Sequence, residues 1–390
     1  MIKKNIIFKN FESNKFNQKI RNLFERLIKE DNEILNSLKI TYKDKYSKKK
    51  ISRFKNFSKF LIIGMGGSIL GSRSIFNFLK EKINKDFDFI DDLEDTKIKK
   101  KRVKKLKQLN LIISKSGSTL ETVSNFNNEF ENKRENIFIT ENRKSDLTKI
   151  AQKLKSEIIH HNNFIGGRYS VLSEVGMLPA ELMGLRVEKF RKFNSLIKNK
   201  KFVNSLIQNV SSTLNMIRNN KLNSIILNYD KKSSDLFLWY QQLIAESLGK
   251  KGKGILPIVS NMPSDNHSLM QLYLDGVKNN FFTFFNVDDV TKKKIKHNDL
   301  LFSFSSYLKS KKFSDIKKSQ FNATQKVFKR KKIPFRTFII KNRNEESLGE
   351  LFVFFILETI LLGKALKVNP YDQPAVELIK SETKKFLSKT

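Results

Sequence analysis

The sequence predicts an α/β chain of parallel sheets flanked by helices. Three observations point there. The apolar run Leu109 to Ile113 enters a hydroxyl-rich turn, Ser114-Lys-Ser-Gly-Ser-Thr-Leu-Glu-Thr122. The run Phe60 to Ile63 enters Gly64-Met-Gly-Gly-Ser-Ile-Leu-Gly71. After a helical stretch, strand-like and helix-like segments alternate again from Ser224. Each turn reads as a junction between a buried strand and a helix, and such alternation builds a parallel sheet with helices on both faces.

Residues 1–56 read as a polar helical segment with one apolar face, made by Phe11, Phe16, Ile20, Leu23, Phe24 and Leu27. Strand 60–63 leads to a helix near 68–82, and Asp86 to Ile90 reads as a short strand. A basic helix is expected at 96–108. Strand 109–113 leads to a helix over 118–133, and Asn136 to Thr140 is a further strand. A helical stretch runs from about 173 to 220. Then come strand 224–227, helix 234–248, a strand-like segment 254–259, helix 264–279, and strands 281–287 and 335–340. A long helix over 346–366 and a helix from Tyr371 onward close the chain. The spacing predicts 1–56 as a leading segment, 57–200 and 201–366 as two α/β units, and 367–390 as a C-terminal helical tail.

At a strand-to-helix turn, unpaired backbone N–H groups and the positive end of the helix dipole converge, and serine and threonine add donors without bulk. The ligand this suits is a phosphate. The turn at 114–122 lacks the Gly-Lys-Ser/Thr ending of a nucleotide-hydrolase loop. Its alternative is an ordinary helix N-cap, for which Ser116 with Glu121 downstream would serve. The earlier turn superficially matches a dinucleotide fingerprint, but Ile69 stands where the third glycine belongs, which demotes a nicotinamide cofactor. Two such turns on neighbouring strands point to one ligand held at the carboxyl ends of the strands.

Composition narrows the classes. The 390 residues are ample for two cores, and the absence of cysteine excludes disulfides and thiolate metal sites. Four histidines (His160, His161, His267, His297) show no zinc spacing, so no metal is expected. Leu348 to Leu366 is apolar but broken by Glu350, Glu358 and Lys364, which favours a buried helix over a membrane span. The start Met1-Ile-Lys-Lys-Asn has no continuous apolar signal region, so a cytoplasmic protein is expected. Net charge is +37, from 76 Lys+Arg against 39 Asp+Glu. The lysines are spread along the chain and accompany no nucleic-acid motif. They read as compositional drift that steers an anionic substrate, and no specific nucleic-acid partner is expected.

Six motifs now stand in order: Gly64-Met-Gly-Gly-Ser68, Ser114 to Thr122, Gly166-Gly-Arg-Tyr-Ser170, Glu246-Ser-Leu-Gly-Lys250, Asp265-Asn-His-Ser268 and Asn369-Pro-Tyr-Asp-Gln-Pro374. From about residue 60 to 380 the chain resembles the glucose-6-phosphate isomerase family. The resemblance implies two flavodoxin-like sugar-isomerase domains, a homodimer with shared active sites, no cofactor, and interconversion of glucose 6-phosphate and fructose 6-phosphate in glycolysis and gluconeogenesis. It places Ser114, Ser116, Thr119 and Thr122 at the substrate phosphate, where Lys115 adds positive charge to the turn, and Gly67 and Ser68 beside the sugar. It makes Glu246 the base, His267 the ring-opening histidine supplied by the other subunit, and Arg168, Gln373 and Lys380 further active-site groups. Leu248 and Asn266 depart from the residues usual in the family's motifs.

The chemistry wants these groups. Aldose–ketose isomerisation moves a proton between C2 and C1 through an ene-diolate, and a carboxylate can both take and return it. A guanidinium answers the developing oxyanion without giving up its proton. Ring opening needs a further acid/base, for which histidine has a suitable range, and Glu121 is a candidate to orient the ring. His160 and His161 read as polar loop residues. Three alternatives remain at this stage: a non-catalytic sugar-phosphate-binding protein, an isomerase of broader hexose 6-phosphate specificity that includes mannose 6-phosphate, and a basic nucleic-acid-binding protein whose dispersed lysines would bind only weakly and non-specifically.

Overall fold

The computed structural model describes residues 5–11, 17–93, 107–132, 134–289, 294–296, 298, 300 and 305–389. Two five-stranded sheets organise them. The first contains β2 (Lys59–Gly64), β3 (Asp86–Ile90), β4 (Gln108–Ile113), β5 (Glu135–Glu141) and β6 (Glu157–His161), in the order β3-β2-β4-β5-β6 and all parallel. Numbered within the sheet this is 2-1-3-4-5, the flavodoxin-like order, whose switch point lies between its first and third strands. Those strands are β2 and β4, and the two turns singled out above follow them. Their residues Leu61–Ile63 and Leu109–Ile113 are buried, as a parallel sheet covered on both faces requires.

The second sheet repeats the plan with β7 (Asn223–Asn228), β8 (Leu256–Asn261), β9 (Asn280–Val287) and β10 (Phe335–Ile340) running parallel in the order β8-β7-β9-β10. Its fifth strand is β1 (Ile6–Lys9), which pairs antiparallel with β10. The leading segment is therefore not helical throughout: its first element completes the edge of the second sheet.

Between the sheets, helix Ser234–Leu248 packs on helix Leu70–Phe78 and on helix Glu345–Ala365. The last of these is buried along almost its whole length, from Leu348 to Gly363 except Glu350. Its Glu358 neutralises the buried Arg336 of β10, so the charge on this apolar helix is paired inside the fold. No helix among the described residues is long and apolar enough to cross a membrane.

The switch point of the second sheet, between β7 and β9, is filled from within. Arg343 donates from Nη2 to Asp230 at 2.8 Å, from Nε to Asp289 at 2.6 Å, and from Nη1 to the Phe78 carbonyl at 3.2 Å. It joins the ends of two strands of one sheet to a helix of the other.

Several elements differ from expectation. Helix Asp146–Lys153, strand β6 and helix Phe313–Arg330 occupy stretches to which the sequence reading assigns no element. The 173–220 stretch resolves into Glu174–Leu182, short turns, and Lys200–Arg218. Residues 264–279 hold only a 3-10 turn, Ser264–Asn266, and a short helix, Met270–Asp275. The terminal helix begins at Val376 rather than near Tyr371. Phe16, His297 and nearly all of the expected basic helix 96–108 lie outside the described residues.

Candidate active site

The turn after β4 gathers hydroxyls. Ser114 Oγ and Thr119 Oγ1 lie 2.8 Å apart, and Ser116 Oγ stands 3.4 Å from Thr119. Gly117 sits at φ +68°, and an added Cβ would lie 2.1 Å from Ser145 Oγ, so only glycine fits there. Thr119 occupies the N-cap of helix Leu120–Glu129 without a side-chain bond to the helix. The hydroxyls therefore group with one another instead of capping, and the first N–H groups of the helix point into the same space. Thr122 adds a buried hydroxyl with no partner among the described residues. Lys115 reaches sideways, donating to the Asn163 carbonyl at 2.7 Å and standing 3.5 Å from Glu141.

The turn after β2, Gly66–Ser68, meets a second glycine pair. A Cβ on Gly67 would lie 2.1 Å from the carbonyl carbon of Gly167, so the two backbones touch. The same Cβ would lie 2.6 Å from the backbone nitrogen of Arg168, so the turn abuts the start of that residue. Ser170 Oγ reinforces this contact, donating to the carbonyls of Gly167 at 2.7 Å and Gly67 at 3.3 Å.

Arg168 is the hub. It is fully buried, and its carbonyl accepts from the indole of Trp239 at 3.0 Å. Its Nε donates to Ser247 Oγ at 2.7 Å. Nη2 donates to the carbonyls of Pro370 at 2.8 Å and Asp372 at 3.0 Å. Nη1 donates to Glu246 at 3.2 Å and to Gln373 Oε1. Five N–H groups thus meet five acceptors drawn from helix Ser234–Leu248 and the 369–374 loop. Tyr169, whose buried hydroxyl is pushed up in pKa by desolvation, joins Ser247 and the Pro370 carbonyl, each at 2.9 Å.

Glu246 lies on the last turn of helix Ser234–Leu248, its side chain 28% exposed. One carboxylate oxygen faces Arg168, and the other accepts from Gln242 Nε2 at 2.9 Å. Gln242 is one helical turn earlier on the same face and also lies against Gly66, where a Cβ would come within 2.8 Å of Nε2. Sequence reasoning missed it, although the i, i+4 spacing to Glu246 was available. It also missed Lys250, which donates to the carbonyls of Ser247 at 2.9 Å and Asn369 at 2.5 Å and pairs with Asp372 at 3.2 Å. Burial holds this ammonium below the usual lysine range.

The structure thus joins Gly67, Ser68, Arg168, Glu246 and Gln373 in one cluster, with the hydroxyls of Ser114, Ser116, Thr119 and Thr122 on the neighbouring turn of the same sheet. It leaves three predicted residues apart within the chain. His267 follows the turn Ser264–Asn266 beyond β8, is exposed, and its imidazole makes no hydrogen bond among the described residues. Lys380 lies on the exposed helix Val376–Leu387 and pairs with Glu377 at 2.7 Å. Glu121, in the first turn of Leu120–Glu129, makes no hydrogen bond to His267. His160 and His161 are corrected: both stand on β6, and His161 is buried against Glu174 because the strand turns it inward. A cavity of about 630 Å³ opens elsewhere, lined in part by Phe8, Lys192, Gln208 and Glu350, and shares no residue with this cluster.

Known proteins carry the same arrangement of chain. The chain is 32% identical over 374 residues to the glucose-6-phosphate isomerase of Methanocaldococcus jannaschii, covering 91% of this chain and 90% of that one. It is 33% identical over 359 residues to the glucose-6-phosphate isomerase of Mycoplasmopsis pulmonis, covering 84% and 82%. In fold it matches a hypothetical protein of Thermus thermophilus with a TM-score of 0.81 at 23% identity, over 95% of this chain and 94% of that one. A glucose-6-phosphate isomerase from Chlamydia trachomatis matches with a TM-score of 0.69 at 16% identity, over 91% and 78%. The family described as phosphoglucose isomerase matches residues 12–390, and the chain belongs to that family.

Proposed function

We propose that this chain is an aldose–ketose isomerase that interconverts glucose 6-phosphate and fructose 6-phosphate, with Glu246 as the base. The observation that carries this reading is the clamped carboxylate. Glu246 is held between Gln242 and the buried Arg168, next to the glycine turn at Gly66–Ser68, and part of its surface stays open. A base fixed at both oxygens and still accessible suits removal of a C2 proton and its return to C1.

In this mechanism the phosphate lies in the hydroxyl turn of Ser114, Ser116, Thr119 and Thr122, with Lys115 at its rim. The unpartnered hydroxyl of Thr122 and the open N-terminus of helix Leu120–Glu129 support this. Arg168 faces the ene-diolate oxygens by exchanging one protein acceptor for substrate. Gln373, held by Arg168, borders the sugar, and Lys380 completes the C-terminal contribution.

Ring opening falls to His267. Its exposure and its distance in topology from Glu246 fit supply to a second copy of the chain, so the active unit is a homodimer. The apolar residues Leu378, Ile379, Phe386 and Leu387, exposed on the terminal helix, support an assembly that covers them. The functional division follows the same lines: residues 57–200 bind phosphate, 201–366 supply the base and the histidine, 1–56 lead in, and 367–390 close the site.

The test is addition of the protein to fructose 6-phosphate, with a chelator present, and detection of glucose 6-phosphate by a coupled dehydrogenase. Formation of glucose 6-phosphate is expected. Stabilisation of the fold by the sugar phosphate without turnover would leave a binding protein and overturn the proposal.

A further inference from the structure

One buried titratable pair takes no part in the mechanism above. His161, at the end of β6, is buried, with Nδ1 2.7 Å from Glu174 Oε1 and Nε2 3.0 Å from the Ile165 carbonyl. A carbonyl oxygen only accepts, so Nε2 carries a hydrogen. Glu174 accepts two further bonds, from the Asn162 N–H at 3.0 Å and from the Tyr42 hydroxyl at 3.1 Å. Burial works to raise the pKa of this carboxyl, but the bond and charge of His161 and the N–H groups of Glu174 and Asn162 together hold it below the usual carboxylate range. The ring is therefore fixed at both nitrogens, with Nε2–H committed to the Ile165 carbonyl and Nδ1 to Glu174.

The loop that this ring holds runs between the two halves of the site. Asn163 presents its carbonyl to Lys115 of the hydroxyl turn, Ile165 is fully buried, and Gly166–Gly167 lead into Arg168 against Gly67. We infer that His161 is a positioning residue. Braced at Nδ1 by Glu174, its Nε2–H pins the Ile165 carbonyl, which fixes the 162–167 loop and sets the hydroxyl turn in register with Arg168. This deepens the proposed function and rests on that reading of the turn as the phosphate site. The charged and titratable groups around the pair are Glu174 on its own helix, Tyr42 with the Asp44–Arg191 pair behind it, and Glu33, which accepts from Asn162 Nδ2 at 2.6 Å.

Two readouts test it. Histidine-labelled protein, with the His161 signals assigned by substitution, is examined by nitrogen NMR at pH 7, and Nε2 of His161 is expected to carry a proton. Binding of inorganic phosphate is then measured for the wild type, for Glu174→Gln, and for the double variant His161→Phe with Glu174→Gln, which leaves no unpaired buried charge. Glu174→Gln keeps the Nε2–H donor and is expected to bind phosphate within about twofold of wild type. The double variant loses the donor and is expected to bind about tenfold more weakly, the scale of one hydrogen bond. Rescue by the variant that retains the imidazole separates positioning from general loss of structure. A His161 ring without a proton on Nε2 in the wild type overturns the proposal, as does undiminished phosphate binding by the double variant. Neither readout requires turnover. Failure of the isomerase assay with both results as expected would therefore count against the reaction and not against His161. Absence of phosphate binding by the wild type would remove the phosphate site itself.

Discussion

Arg168 and Glu246 meet at 3.2 Å, the guanidinium sealed from solvent and the carboxylate side chain 28% exposed. Every N–H of Arg168 already has an acceptor, so its charge holds Glu246 and Gln373 in place before any substrate arrives. A lysine cannot replace this planar fork, since it offers three donors from a single point. Arg168→Lys is expected to lower kcat by about 100-fold or more, and to lower stability by about 2–3 kcal/mol through the stranded carbonyl of Asp372 and the lost bonds to Pro370 and Ser247. Steady-state kinetics and denaturant unfolding read the two losses. A variant with native kinetics would show that the fork is dispensable.

The proposed base can be removed with little change of shape. Glu246→Gln keeps the shape, its amide oxygen still accepting from Arg168 and its NH2 donating to Gln242 once that amide turns over to present Oε1, but it takes away the proton acceptor. Isomerisation is expected to fall by about 10³-fold or more while sugar-phosphate binding, followed by calorimetry, changes by less than about threefold. Joint loss of binding and activity would sink the role assigned to Glu246.

The contact between Gly67 and Gly167 is asymmetric. A Cβ on Gly67 would strike the Gly167 carbonyl carbon at 2.1 Å, whereas one on Gly167 meets Gly67 Cα at an ordinary 3.6 Å. Gly67→Ala must push backbone against backbone and is expected to cost about 1–3 kcal/mol, with most of the activity lost. Gly167→Ala is expected to stay within about 1 kcal/mol of wild type. Equal costs in urea titrations would contradict the geometry.

Glu350 interrupts the buried face of the long helix, and desolvation pushes its carboxyl up to about 7 from 4.5, with Lys192 pulling the other way. Because the folded value is raised, its contribution to stability is complete below the unfolded value and is lost as pH rises from about 4.5 through 7. The ionised group then costs up to about 3 kcal/mol. Glu350→Gln is expected to gain on wild type between pH 5 and pH 8, and unfolding curves at the two pH values measure that gain. A difference independent of pH would refute it.

Lys250 spends its donors on Ser247 and Asn369 and pairs with Asp372, tying the loop that bears Gln373 to the helix that bears Glu246. Lys250→Met is expected to reduce kcat/KM by about tenfold, with Lys250→Arg recovering part of it. A coupled assay over a range of substrate decides the matter, and unaltered kcat/KM in the Met variant would make the tie irrelevant to catalysis.

Much of this was legible in the sequence because its signals are local. The runs before Gly64 and Ser114 are apolar enough to be parallel strands, and the glycines and hydroxyls after them announce the turns. The remainder depends on partners distant in sequence. Strand β1 is four residues long and acquires its strand character only from pairing with β10. Helix Phe313–Arg330 buries only Phe321 and Phe328, too sparse a stripe to stand out among lysines. In the site, two acceptors of Arg168 are backbone carbonyls, which no side-chain pattern records. His161 looked like half of a polar pair in a loop because its acid, Glu174, lies beyond the glycine motif on another element.

The two sheets follow one blueprint, yet they present their crevices differently. Between β2 and β4 the strand ends carry small, neutral donors and leave a socket. Between β7 and β9 they carry Asp230 and Asp289, and Arg343 corks the equivalent socket while bolting it to the helix of the first unit at Phe78. An anion approaching the second crevice meets two carboxylates whose shared counter-charge is already engaged. Among the described residues the repeated architecture therefore leaves one open socket, the one proposed to take the phosphate, and its twin has become the rivet that ties the two halves together.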